Sequence, residues 1–218
     1  MHGLPLLAVP LSSGNPNVSG HCKTTPYKLS RDRKNIKYKM LNLDFINFPK
    51  LQTDRLILRK VLEKDYVLFH KLHSDPVVNA FVGRENSSSI EKAQAYILRM
   101  DGLVKKKECL FWVITLENND DLIGSVCCWN FDIQNGIVEI GYEMLSEFQG
   151  KGIMTEALKS VIEFTFNEMK ANIITAFPSS DNLSSVKILK KLNFEFENKP
   201  YNNKHENVEN NVTYTLRS

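Results

Sequence analysis

The stretch that most limits what this chain can fold into lies between residues 137 and 169. An apolar, strand-like run over 137–145 is followed by Glu147-Phe148-Gln149-Gly150-Lys151-Gly152-Ile153-Met154-Thr155-Glu156-Ala157 and a helical pattern over 152–169. The apolar face of that helix (Ile153, Met154, Ala157, Leu158, Val161, Ile162 and Phe166) is broad enough to lie against a sheet. Glycines between a strand and a long helix let the backbone approach a ligand closely. The helix's first turn offers unpaired N–H groups at the positive end of its dipole. Together they suit an anion such as a pyrophosphate, although a plain connecting turn has the same residue pattern. Two phosphate motifs are excluded. No Gly-Lys-Ser/Thr occurs, so there is no P-loop, and Thr155 stands where the dinucleotide fingerprint needs its third glycine.

The remaining patterns frame that segment. Residues 55–59 read as a strand, and 63–74 and 88–106 as amphipathic helices. Residues 109–116 and 122–131 read as two strands of a hairpin closed by Asn118-Asn119-Asp120-Asp121. After the long helix come a strand at 173–177, a helix at 183–192, a polar Asn-rich loop over 198–211 and a last strand at 212–216. The order β-α-α-β-β-β-α-β-α-β predicts an α/β fold of the mixed, α+β kind: one largely antiparallel sheet flanked by helices.

The charge is unevenly distributed. The chain of 218 residues carries +3, yet residues 1–40 hold seven Lys and Arg against one acid, so the rest is slightly acidic. A pervasive nucleic-acid surface is therefore not expected, and no apolar run approaches the ~20 residues of a membrane span. Residues 1–48 read as a flexible basic extension, with a start at Met40 left open, and 49–218 as one folded domain. The prolines at 5 and 10 break the apolar run near residue 4, and no Lys or Arg precedes it, which argues against an export signal. Cys22, Cys109, Cys127 and Cys128 lack C-x-x-C spacing and read as free thiols of a cytoplasmic protein. His70 and His73 lie three apart on a predicted helix, but no third ligand is evident, so no metal is expected. Trp112 and Trp129 read as core residues of strands.

Gln149-x-x-Gly152-x-Met154 resembles the Q/R-x-x-G-x-G/A acetyl-CoA signature of the GNAT N-acetyltransferases. The longer string from Gln149 to Ala157 is similar to the RimJ/RimL-like branch, which contains the ribosomal-protein alanine N-acetyltransferases. Leu51-Gln-Thr-Asp-Arg-Leu-Ile-Leu-Arg59, Ile123-Gly-Ser125 with Trp129-Asn130, Glu139-Ile-Gly-Tyr142, and Asn182-x-x-Ser185 with Lys191-Leu192-Asn193-Phe194 match that branch in order. Met154 stands in place of the signature's last small residue. Asn193 replaces a glycine that caps the last helix, and asparagine is the next-best residue for a left-handed cap.

The resemblance implies acyl transfer from acetyl-CoA to a primary amine, a protein N-terminal α-amine or a small molecule, by a monomer or homodimer. It implies a sheet that splays after its fourth strand, with pantetheine inserted there. Tyr142, Glu143 and Met144 would meet pantetheine through their main chain. Gln149, Gly150, Lys151, Gly152, Ile153, Met154 and Thr155 would hold the pyrophosphate, and Asn182 would add a further cofactor contact. Glu139 would be the general base, with Glu143 and Glu156 as other carboxylates, the latter at a helix start where acids are favoured anyway. Ser185 would protonate the departing thiolate, because Leu189 stands where many relatives carry a tyrosine. An acyl-CoA-binding domain without turnover is the alternative.

Overall fold

The computed structural model describes residues 40–81, 89–198, 201, 205 and 208–218. The opening strand pattern divides into β1 (Leu51–Gln52) and β2 (Leu56–Lys60). A 3-10 turn over Glu63–Asp65 leads into α1 (Tyr66–Ser74), and the short α2 (Pro76–Asn79) follows, capped by Asp75. The helix α3 (Ile90–Lys105) starts at Ser89, whose hydroxyl accepts from Lys92 N, the cap chemistry that serine supplies. β3 (Leu110–Leu116) and β4 (Asn119–Asp132) pair antiparallel, and β4 pairs antiparallel with β5 (Ile137–Met144). Then come α4 (Ile153–Asn167), β6 (Ile173–Ala176), α5 (Leu183–Lys191), β7 (Glu195–Glu197) and β8 (Thr213–Arg217).

The eight strands form one mixed sheet in the order β1-β2-β3-β4-β5-β6-β8-β7, whose one parallel pair is β5 with β6. Apolar residues alternate between its faces. Ile140, Tyr142 and Met144 of β5 join α4 and Leu189 of α5 in one core, while Cys127, Trp129 and Val113 join Phe69, Leu72, Ile97 and Met100 in the other. This is the mixed α/β architecture expected from the order of patterns.

The splay is also present. β5 and β6 pair only at Ile137–Ile173, Val138–Ile174 and Glu139–Thr175. From Ile140 on, β5 keeps β4 as its neighbour but has no strand partner on its other side among the described residues. A wedge opens there. On the β4 side the strands approach so closely that a Cβ at Gly124 would sit 2.5 Å from Glu143 O, so only glycine fits.

Two local expectations change and one holds. Asn119–Asp121, read as loop, are strand, and the hairpin turn shrinks to Glu117-Asn118. The sheet keeps these polar residues extended because Asp120 is gripped by Arg59 and Lys64. Residues 41–48, read with the extension, lie on the domain. Phe45 packs 5.2 Å from Phe164, Phe48 packs 5.7 Å from Trp112, and Asn42 N donates to Met169 O. The cap at Asn193 takes φ 63°, and Phe194 N closes back on Leu189 O, as the substitution for glycine anticipated. Among the described residues no helix is long and apolar enough to cross a membrane, and no group of three His, Cys, Asp or Glu could hold a metal ion.

Candidate active site

The glycine turn lies at the mouth of the wedge. Gly150 and Gly152 both have φ 75°, a left-handed backbone that favours glycine, and Gly152 is the N-cap of α4. No side chain caps this helix, so its first-turn amides are served by no residue of the turn. Met154 is buried in the core. Its bulk therefore packs into the core beneath the turn. Between the end of β5, this turn and α5 runs a groove of about 340 Å³, lined among others by Met144, Gln149, Gly150, Gly152, Thr155, Lys187 and Lys191. Gln149 is turned inward, its Nε2 donating to Met144 O, which fixes the turn to the strand end. Lys151 lies over the Phe148 ring at 5.5 Å.

Behind the turn, Glu156 anchors α4. Its carboxylate accepts from Thr53 Oγ1 at 2.6 Å, Arg55 N at 3.1 Å and Arg55 Nε at 2.7 Å. Burial works against its ionisation, but these donors prevail and hold its carboxyl below the usual range. Glu156 is fully engaged in structure.

A second, smaller space lies at the fork itself. A cavity of about 30 Å³, room for a water molecule or a carbonyl group, is bounded by Trp129, Glu139, Tyr142, Phe177, Ser185 and His205. On one side of the β5 edge stands Glu139, only 2% exposed. His205 Nε2 lies 2.5 Å from its Oε1, and Asn130 Nδ2 donates to its Oε2 at 3.0 Å. Asn130 reaches back because a bulge follows Trp129 and gives Asn130 a φ of 48°. The imidazole is itself held against Trp129 and Phe177, with ring centroids 5.6 and 5.8 Å away.

On the other side, Tyr142 Oη and Ser185 Oγ are 2.7 Å apart. Burial pushes the Tyr142 phenol well above its ordinary range, although the bond to Ser185 opposes this, so the hydroxyl stays protonated. Leu189, which cannot carry a proton, lines the same cavity, and Tyr142 supplies a phenol from the neighbouring strand instead. Asn182 begins α5 with its Oδ1 accepting from Ser185 N at 2.9 Å. Its Nδ2, fully buried, finds no partner among the described residues. A buried donor left open in this way fits a carbonyl of an amide-containing ligand such as pantetheine.

Glu143 shares a face with Glu139 but serves a separate cluster, accepting from Ser125 Oγ at 3.0 Å and lying 3.2 Å from His73 Nε2. His73, considered above only as a metal ligand, is therefore a buried partner of Glu143. The turn residues and Met144 thus gather at the groove, and Glu139, Tyr142 and Ser185 gather at the fork. Lys151 and Glu143 point elsewhere. His205 escaped the sequence reading because it sits in an Asn-rich stretch with no periodicity. Half of the 198–211 loop, expected to border the acceptor groove, lies outside the described residues.

Comparison with known proteins agrees with this geometry. A family model described as an acetyltransferase (GNAT) domain matches residues 55–195. YoaA of Bacillus subtilis (strain 168), named an uncharacterised N-acetyltransferase, is 31% identical over 150 residues, 69% of this chain and 85% of that protein. The p20 protein of Bacillus licheniformis, named likewise, is 30% identical over 148 residues, 67% of this chain and 83% of that one. Among solved structures, a ribosomal-protein-S5-alanine acetyltransferase of Vibrio fischeri superimposes with a TM-score of 0.66 at 22% identity, over 78% of this chain and 96% of that one. RimL, a ribosomal L7/L12 acetyltransferase solved with coenzyme A, does so at 0.65 and 18%, over 78% and 98%. At such identities the likeness speaks for the fold.

Proposed function

The chain belongs to the GNAT acetyltransferase family and is an N-acetyltransferase, and we propose that its acceptor is a protein N-terminal α-amine, with acetyl-CoA lying across the wedge. The observation that carries this reading is the fork itself. The unpaired edge of β5 separates an open anion-binding turn from a buried carboxylate–imidazole pair, so a donor and an acceptor can meet across one strand.

Acetyl-CoA, when bound, supplies an acetyl thioester. Amides of Gly150–Thr155 and the lysines of α5 would hold its pyrophosphate, the backbone of Tyr142–Met144 its pantetheine, and Asn182 Nδ2 a pantetheine carbonyl. Glu139, fixed by His205 and Asn130, takes the proton that an ammonium must lose before its nitrogen can attack. As the new C–N bond forms and the C–S bond breaks, Ser185, backed by Tyr142, would give a proton to the sulfur, and the second proton shed by the nitrogen restores the Ser185 hydroxyl. A main-chain N–H on the open edge of β5 would stabilise the developing oxyanion, a contribution of roughly 10²–10³ in rate. Cytoplasmic action on nascent or ribosomal proteins is part of the same proposal, in keeping with the resemblance of the Gln149–Ala157 string to the ribosomal-protein branch.

The test combines calorimetry with thiol release from acetyl-CoA across N-terminal peptides and small amines. Binding of coenzyme A with turnover on free N-terminal peptides is the expected result. Turnover on small amines with none on N-terminal peptides would overturn the acceptor assignment.

A further inference from the structure

The chain has two tryptophans, and their indole N–H groups are treated differently. Trp112 Nε1, in the core, donates to Pro49 O at 2.7 Å. Trp129 is equally enclosed, at 5% exposure, yet its Nε1 has no hydrogen-bond partner among the described residues. Packing alone does not account for this, because phenylalanine would fill such a place without an open polar group. The position is specific. Trp129 stands directly opposite Glu139 in the β4–β5 register, so both side chains rise from the same face with Cβ atoms roughly 4.5–5.5 Å apart. Both border the 30 Å³ cavity at the fork, and His205 spans them, bonded to Glu139 and packed edge-on against the indole.

We propose that Trp129 reads a carbonyl oxygen beside the reacting amine, so that the acceptor is an α-aminoacyl terminus rather than an alkylamine or polyamine. The inference rests on the acetyl-transfer reading and deepens it. In an aminoacyl group the amine and the carbonyl oxygen are separated by only two carbons, a reach that matches neighbouring side chains on paired strands. The amine lies at Glu139, and the carbonyl oxygen takes the indole N–H. The space between Trp129 and Glu139 has room for a group of carbonyl size. An alkylamine leaves the indole donor desolvated and open, a loss that ordinarily separates matched ligands by about ten-fold or more.

The test is nitrogen-15 NMR of the two indole signals in the full chain with coenzyme A bound. Alaninamide should move the Trp129 signal and leave that of Trp112 in place. Isopropylamine, which lacks the carboxamide, should move neither. In parallel, Trp129→Phe should reduce the kcat/KM preference for alaninamide over isopropylamine about ten-fold. An unmoved Trp129 signal with alaninamide, or an unchanged preference in the variant, overturns the inference while leaving acetyl transfer intact. If coenzyme A shifts no amide signal in the Gly150–Thr155 turn, the acetyl-transfer reading fails, and this inference with it.

Discussion

A buried carboxylate with both oxygens engaged has little freedom to move, and Glu139 is held in that way by His205 and Asn130. Glu139→Gln keeps the shape but removes the proposed proton acceptor. It should lower kcat by about 10²–10⁴ while calorimetry finds coenzyme A affinity unchanged, because the groove for the anion lies on the other side of β5. His205→Ala should lower kcat in the same direction, and the double variant should be no slower than Glu139→Gln, because the two residues form one unit. Additive losses would separate their roles. Glu139 was legible in the sequence because it opens the Glu-Ile-x-aromatic stretch of a recognisable strand. His205 was not, because its significance lies in a contact across 66 positions that no local spacing encodes. Tyr142 was half legible. Its place on the strand is plain, whereas its hydroxyl meets Ser185 only once α5 is laid beside β5.

Elements are held at their ends as much as along their faces, and α4 is the clearest case. Its apolar stripe is plain in the sequence, but its pointing is set by Glu156 clasped to Thr53 and Arg55 at the β1–β2 corner. Glu156→Gln should cost about 1–2 kcal/mol at neutral pH, discounted because the Arg55 side chain is half exposed. The sign with pH follows from the direction of the shift. The folded-state pKa lies below the usual 4.5, so the stabilisation is present above that value and is lost as pH falls through the depressed one. Urea unfolding at stepped pH should show the two proteins converging in acid, and a gap that persists there would remove the ionic part of the account. The long helices and central strands were readable within a few residues because their periods are unambiguous. The elements the sequence reading missed are short (β1, β7 and α2), and two to four residues give no period to detect. The β4 start was misread because Asn119–Asp121 have turn chemistry, which Arg59 and Lys64 override through Asp120.

At the scale of the whole molecule the decisive feature is that one sheet carries both an antiparallel body and a single short parallel seam. The seam ends at Glu139–Thr175, so beyond it β5 has no strand partner on that side among the described residues, although β5 lies inside the sheet order rather than at its edge. Exposed strand edges are normally blunted or covered, and one kept open between two helical layers is suited to an extended, amide-bearing ligand. The segment 41–48 closes the opposite end of the α4 layer through Phe45 and Phe48, so the sheet is braced where it does not open. The wedge should therefore be the place where ligand changes protection most. In hydrogen exchange of the free protein, the amides of Ile140–Met144 that face away from β4 should exchange well ahead of those bonded to β4. Coenzyme A should slow that fast subset together with the Gly150–Thr155 turn, while β2 and β3 keep their rates. If protection instead appeared across the sheet with no preference for the β5 edge, the ligand would be stabilising the fold from elsewhere, and the wedge would not be its seat.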